Sequence, residues 1–145
     1  MANTVFSNPS SLRVATLLYD NFLGTSATLP VELLRTAEAS ARAHNPDARR
    51  VEAATLSINP QPVISPSGFD IIPSATIADV TQCDIISLPA LWRNPRPALN
   101  KYRDYIPWLQ QQAKLGATII AVGTGVCFLA EAGLLDNQPA TTHWH

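Results

Sequence analysis

The part of this chain that comes nearest to a catalytic arrangement is the segment from Ala121 to Phe128, AVGTGVCF. It follows an apolar run, Gly116 to Ile120, and precedes a helical pattern rich in alanine and leucine. A strand, a tight turn and a helix in that order form the nucleophile elbow of many α/β enzymes. The position of the nucleophile is occupied here by Gly123, which has no side chain. The segment therefore predicts the geometry of an enzyme site without its chemistry.

Two cysteines are the remaining candidate nucleophiles. Cys127 lies one helical turn beyond Gly123, about 5–6 Å along the helix, and has apolar neighbours. We interpret Cys127 as a core thiol, with nucleophilic catalysis as the alternative, because free cysteine usually behaves as a small buried hydrophobe. Cys83 precedes an apolar strand and is expected to be structural. Their spacing does not match a C-x-x-C metal motif or a disulfide framework.

The last residues, His143, Trp144 and His145, offer two imidazoles that would point the same way on a strand and could bind a metal. No further histidine, cysteine or acidic residue is spaced to complete that site, so we expect no metal and interpret His143 as part of a pocket wall or of the packing. The glycines of the elbow also resemble the start of a dinucleotide fingerprint, but Phe128 stands where the third glycine is needed. No cofactor is expected.

The elements that position these residues alternate between strands and helices. Strands are predicted at 12–19, 51–58, 84–89 and 117–122, and a small hairpin around Ser67 and Gly68. A helix is expected to start at Thr25, Ser26 or Thr28, with Pro30 in its first turn, and to end at Asn45. A helical pattern over 98–114 must break or kink at Pro107. This alternation predicts a parallel sheet with helices on both faces.

The composition narrows the class of protein. The 145 residues suffice for one domain, and 14% of them are charged, against about 25% in average soluble domains. A low charge suggests that part of the surface is covered by a partner. The net charge of -1 gives no electrostatic basis for binding of DNA by this segment. Without an apolar run of about 18 residues, a signal peptide or paired cysteines, the sequence predicts a cytoplasmic protein that does not span a membrane.

Several blocks resemble a known family: Leu29 to Arg35 (LPVELLR), Ala130 to Asp136 (AEAGLLD) and Ala140 to Trp144 (ATTHW). They are similar to AraC-type transcriptional regulators that carry an N-terminal amidotransferase-like domain of the PfpI/ThiJ superfamily. The resemblance covers residues 12–144. It implies a three-layer α/β/α sandwich with a mostly parallel sheet, flavodoxin-like and related to class I glutamine amidotransferases. It also implies a sensor domain over 12–145 that is incomplete at its C-terminal end, and a DNA-binding helix-turn-helix outside this chain. The polar residues 1–11 are expected to form a flexible arm.

Three departures from the catalytic members stand out in that comparison. The nucleophilic cysteine of the superfamily falls on Gly123, and its acidic partner falls on Ser26. The glycine turn that offers N–H groups to an oxyanion reads Pro89-Ala90-Leu91-Trp92. The resemblance therefore implies a domain without catalytic residues that binds a small-molecule effector and forms a homodimer.

The candidate effector pocket comprises eight residues: Ser26, Ala90, Leu91, Trp92, Gly123, Thr124, Gly125 and His143. Trp92 fits either a pocket wall or a dimer contact. Two other functions remain open. One is an enzyme of the PfpI/ThiJ superfamily, such as a hydrolase, a hydratase or a glyoxalase-like protein, and the other is an interaction module whose pocket is closed by Leu91 and Trp92.

Overall fold

The computed structural model describes residues 5–143. In chain order the strands are β1 (Leu12–Leu17), β2 (Val51–Ser57), β3 (Val63–Ile64), β4 (Asp70–Ile71), β5 (Ala75–Thr76), β6 (Ile85–Leu88) and β7 (Thr118–Ala121). Five of them form one sheet in the order β5-β2-β1-β6-β7, and each neighbouring pair is parallel. The other two, β3 and β4, form a separate antiparallel hairpin, as predicted around Gly68.

Helices cover both faces of this sheet. The helices are α1 (Gly24–His44), α2 (Arg96–Lys101), α3 (Tyr105–Lys114) and α4 (Val126–Glu131), with 3-10 turns at Ile77–Asp79 and Gly123–Gly125. The connection from β1 to β2 and the connection from β6 to β7 run in opposite directions along the sheet. Because such crossovers are right-handed, α1 lies on one face and the α2–α3 pair on the other. The predicted α/β sandwich is confirmed.

The main core lies between the sheet and the face that carries α3 and α4. Leu17, Leu56 and Leu88 are fully buried there and belong to one apolar cluster with Tyr105 and Phe128. The aromatic rings of this cluster pack closely, and the ring centroids of Tyr19 and Phe128 are 4.6 Å apart. Large rings contribute much of the apolar area that stabilises such a core. The tyrosines of the helical pattern over 98–114, Tyr102 and Tyr105, are thus packing residues.

The start of α1 differs from the prediction. The helix begins at Gly24 after the N-cap Leu23, which has no capping side chain, so Pro30 lies in its second turn and not in its first. Pro30 has no N–H to donate to the carbonyl of Ser26, and the helix continues through this gap. Ser26 does not cap the helix either, because its hydroxyl donates backwards to the carbonyl of Leu23 at 2.7 Å. The end at Asn45 is as predicted.

The break in the pattern over 98–114 also lies elsewhere than expected. The chain forms two helices, but the interruption falls at 102–104 and Pro107 is in the first turn of α3. Proline is tolerated there because the first N–H groups of a helix have no intrahelical partner. Proline therefore fixed where the second helix starts rather than kinking a continuous one.

Two short segments that the sequence did not mark as ordered belong to the folded domain. Strand β5 pairs with β2 through Ala75 and Thr76 and is too short to give a periodic pattern. The described part of the N-terminal arm contacts the domain, since Phe6 belongs to the core cluster. The backbone N–H groups of Ser7 and Asn8 both donate to the carboxylate of Glu52.

Candidate functional site

The candidate site lies at the carboxyl ends of β1, β6 and β7, which are neighbours in the sheet. The loops that leave β1 and β6 run antiparallel and are hydrogen bonded to each other. The N–H of Leu23 donates to the carbonyl of Ala90 at 2.8 Å, and the N–H of Trp92 donates to the carbonyl of Asn21 at 2.7 Å. Ligands of open α/β sheets bind at this edge.

The turn after β7 has the conformation of an elbow. Gly123 is in the left-handed region with a φ of 50°, and a Cβ built on it would meet only the Cβ of Ala90, at 3.5 Å. Gly125 is pressed against the end of β6, because a Cβ there would lie 2.5 Å from the carbonyl oxygens of both Leu88 and Pro89. Close packing thus requires glycine at 125, whereas the backbone conformation favours it at 123.

The turn after β6 uses its N–H groups within the domain. The N–H of Ala90 donates to the Ser26 hydroxyl at 2.9 Å, and the N–H of Leu91 donates to the Thr124 hydroxyl at 2.8 Å. The N–H of Trp92 is bonded to Asn21. An oxyanion hole needs donors that are free to face the substrate, and these three are already paired.

A cavity of about 370 Å³ opens between the two turns. Six of the eight residues proposed from the sequence line it: Ala90, Leu91, Trp92, Gly123, Thr124 and His143. Ser26 and Gly125 are not among the lining residues. Ser26 lies behind the cavity wall, where its hydroxyl accepts a hydrogen bond from the N–H of Ala90. Gly125 is buried beneath the elbow.

Leu23 and Arg93 also line the cavity, although the sequence analysis had not selected them. Leu23 could have been found from its closeness to Ser26, whereas nothing in the sequence marks Arg93. The Trp92 side chain is 51% exposed, and the Arg93 guanidinium lies 5.8 Å from the centre of its ring. Trp92 therefore forms a wall of the cavity while remaining accessible.

The C-terminal segment passes over the elbow. The hydroxyl of Thr142 donates to the carbonyl of Gly123 at 3.2 Å, which brings His143 to the cavity. The second imidazole of the predicted pair falls on His145, which together with Trp144 lies outside the described residues. Within 5–143, no group of three or more histidine, cysteine or acidic residues could hold a metal ion.

Neither cysteine is placed as an activated thiol. Cys83 is buried, and burial raises its pKa to about 12. Its N–H and its thiol both donate to the side-chain oxygen of Gln112. Cys127 is half-buried rather than fully buried, and burial again raises its pKa above the ordinary value. A catalytic cysteine needs the opposite shift, since the thiolate is the nucleophile.

Comparison with known proteins gives the family. A model of the DJ-1/PfpI family matches residues 12–145. The HTH-type transcriptional regulator GbdR of Pseudomonas aeruginosa is 33% identical over 138 residues, covering 94% of this chain and 35% of that protein. Isonitrile hydratase of Pseudomonas putida is 31% identical over 83 residues, covering 57% of this chain and 36% of the enzyme. An AraC family transcriptional regulator from Pseudomonas putida has a crystal structure that matches with a TM-score of 0.71 at 23% identity, covering 91% of this chain and 66% of that one.

These findings define the class of domain. It is a parallel α/β sandwich with a cavity at the carboxyl ends of the neighbouring strands β1, β6 and β7. The chain belongs to the DJ-1/PfpI family. Its relatives include transcriptional regulators that contain this domain, and the chain spans 35% of the length of GbdR. No helix among residues 5–143 is long and apolar enough to cross a membrane.

Proposed function

We propose that this chain is the effector-sensing and dimerisation domain of an AraC-family transcriptional regulator and has no catalytic activity. A small molecule binds in the cavity, and a DNA-binding domain elsewhere in the native polypeptide responds. The observation that carries this proposal is the pairing of the N–H groups of Ala90, Leu91 and Trp92 with partners inside the domain. The cavity is open, but these backbone N–H groups already donate hydrogen bonds within the domain, and the elbow residue Gly123 has no side chain.

The similarity to GbdR supports the regulator. Such a regulator acts on DNA, so the proposal implies that this protein is located in the cytoplasm. An enzyme is the second candidate, because isonitrile hydratase is also a relative and the elbow conformation is retained at Gly123. The absence of a side chain at Gly123 argues against it.

The first test is the size of the native polypeptide in its source cells, measured by immunoblot with an antibody against residues 12–143. We expect a band of roughly 30 kDa or more, since a sensor and a DNA-binding domain together need about two domain lengths. The recombinant 145-residue chain serves as the size standard. A single native band that migrates with this standard would contradict the regulator.

The proposed dimer rests on the outward face of α1. Of the 21 residues of this helix, Gly24 and Ala27 are buried, while Leu29 and Leu33 are 53% and 61% exposed. The outward stripe, spaced by three and four residues, carries no charge. It consists of Leu29, Leu33, Thr36, Ala37 and Ser40.

Both arginines of α1 are directed away from this stripe, whereas the exposed Glu32 flanks it, one turn before Thr36. Arg35 donates to the carbonyl of Val51, at the start of β2, and Arg42 to that of Ala48, just before it. Glu38 accepts from Arg35. An uncharged stripe about 17 Å long, at a rise of about 1.5 Å per residue, can pack on the same stripe of a second copy around a two-fold axis. Such isologous contacts are the commonest in homodimers.

Replacing Leu33 by glutamate is expected to convert this dimer into a monomer, because the two carboxylates would be buried close to each other and to leucine. Light scattering after size-exclusion chromatography measures the mass directly. Leu115→Glu is the matched control, since Leu115 is 45% exposed at the end of α3 and should leave the dimer intact. A natural chain that is monomeric at about 100 μM, far above typical dimer dissociation constants, would refute this interface.

A further inference from the structure

The cavity combines apolar walls with one charged side chain. Among residues 5–143, Arg93 is the only arginine, lysine, aspartate or glutamate that lines it, next to Thr124 and His143, and Leu23, Ala90, Leu91 and Trp92 form apolar surface. A volume of about 370 Å³ is near the lower end of the range of ligand pockets, about 300–1,000 Å³. The cavity therefore suits a small molecule with an apolar body.

Arg93 is held at the cavity in an unusual conformation. Its φ is 65°, a left-handed value that residues with a side chain rarely adopt. Its guanidinium stays next to the Trp92 ring, where a cation–π interaction holds it. No carboxylate of residues 5–143 forms an ion pair with it. Strained residues of this kind concentrate at binding sites.

We propose that the cavity binds a small organic carboxylate, with its carboxylate group on Arg93 and its apolar body against Leu91 and Trp92. This inference rests on the proposed effector pocket and names the class of effector. A guanidinium binds a carboxylate with two parallel hydrogen bonds and remains charged at all physiological pH values. A phosphate ester fits less well, because phosphate sites use several backbone N–H donors, and the turn from Ala90 to Trp92 has already paired its own.

The test compares each of two acids with its neutral amide: phenylacetate with phenylacetamide, and hexanoate with hexanamide. Binding to the 145-residue chain is followed by the chemical shifts of its backbone amides. We expect the acids to bind at least about tenfold more tightly than the amides, as charge-assisted hydrogen bonds are roughly twice as strong as neutral ones. Arg93→Gln should remove this preference, whereas Arg93→Lys should retain part of it because lysine keeps the charge but not the planar fork.

Two variants separate the possible results. Arg96→Gln is the matched control, since Arg96 is exposed and near in sequence but does not line the cavity. Ala90→Leu fills the cavity and should abolish binding of acids and amides alike. Equal binding of acids and amides, abolished by Ala90→Leu and unchanged in Arg93→Gln, would overturn the carboxylate assignment but leave the pocket standing. Binding that survives Ala90→Leu, or no binding of any of the four compounds at about 10 mM, would overturn the effector pocket itself.

Discussion

Replacing Gly125 by alanine is expected to lower the free energy of unfolding by about 3 kcal/mol, the upper part of the range for overpacked sites. A Cβ at this position would lie 2.5 Å from the carbonyl oxygens of Leu88 and Pro89. These atoms belong to the backbone, at and just beyond the end of the central strand β6, so they cannot move aside like a flexible side chain. The strand end and the elbow must separate, which also disturbs the bond between Leu91 and Thr124.

Urea unfolding followed by circular dichroism measures this effect. Gly123→Ala is the matched control in the same turn, because a Cβ there meets only the Cβ of Ala90 at 3.5 Å. Its cost should be limited to the left-handed conformation, about 1 kcal/mol. Equal stability of Gly125→Ala and Gly123→Ala would contradict the close approach of the elbow to the end of β6.

Replacing Gly123 by cysteine is expected to give a thiol that reacts with iodoacetamide about a thousandfold or more faster than Cys83, because the rate follows the thiolate fraction. Gly123 is exposed, and an accessible thiol has a pKa of about 8.5. Burial raises the pKa of Cys83 to about 12. Near pH 7.5 the new thiol is therefore about one-tenth ionised, while Cys83 is almost entirely protonated.

Mass spectrometry of labelled peptides gives the rate at each site. In this labelling experiment Gly123→Cys is introduced into a Cys127→Ser chain and compared with Cys127→Ser alone, since Cys127 is half-buried and would add a background reaction. The rate at the introduced thiol should rise with pH and level off near pH 9, whereas Cys83 should stay unreactive until the protein unfolds. A slow reaction of the introduced thiol would contradict an open elbow. Turnover by the natural chain that disappears in Cys127→Ser would contradict the non-catalytic proposal.

Much of the fold could be predicted from local patterns. Runs of apolar residues predicted β1, β2, β6 and β7 within a few residues. The run is clearest in β6, because a parallel strand with a strand on each side is buried and almost continuously apolar. The helix ends at Asn45 and Gly116 were predictable from residues that stop a helix. The start of α1 was predicted too late, because the helix begins at Gly24 and continues past Pro30 although one hydrogen bond is missing there.

The candidate site was predictable only where the chain marks it locally. The elbow from Gly123 to Gly125 and the turn at Ala90 to Trp92 could be selected because each follows an apolar strand. Arg93 could not be selected, since its importance comes from a left-handed backbone and from a wall formed by other segments. Ser26 was selected for the cavity but lies behind it, because its hydroxyl is taken by Leu23 and Ala90.

The sequence by itself determined the class of fold and the elbow without a nucleophile. These properties depend on the types and spacing of residues that are close together in the chain. The tertiary structure decided which backbone N–H groups are already hydrogen bonded and which side chains together line the cavity. Those properties depend on hydrogen bonds between segments far apart in the chain, such as that of Ala90 to Ser26, which are 64 residues apart. No local pattern encodes such a bond, because it exists only when β1, β6 and β7 are assembled side by side.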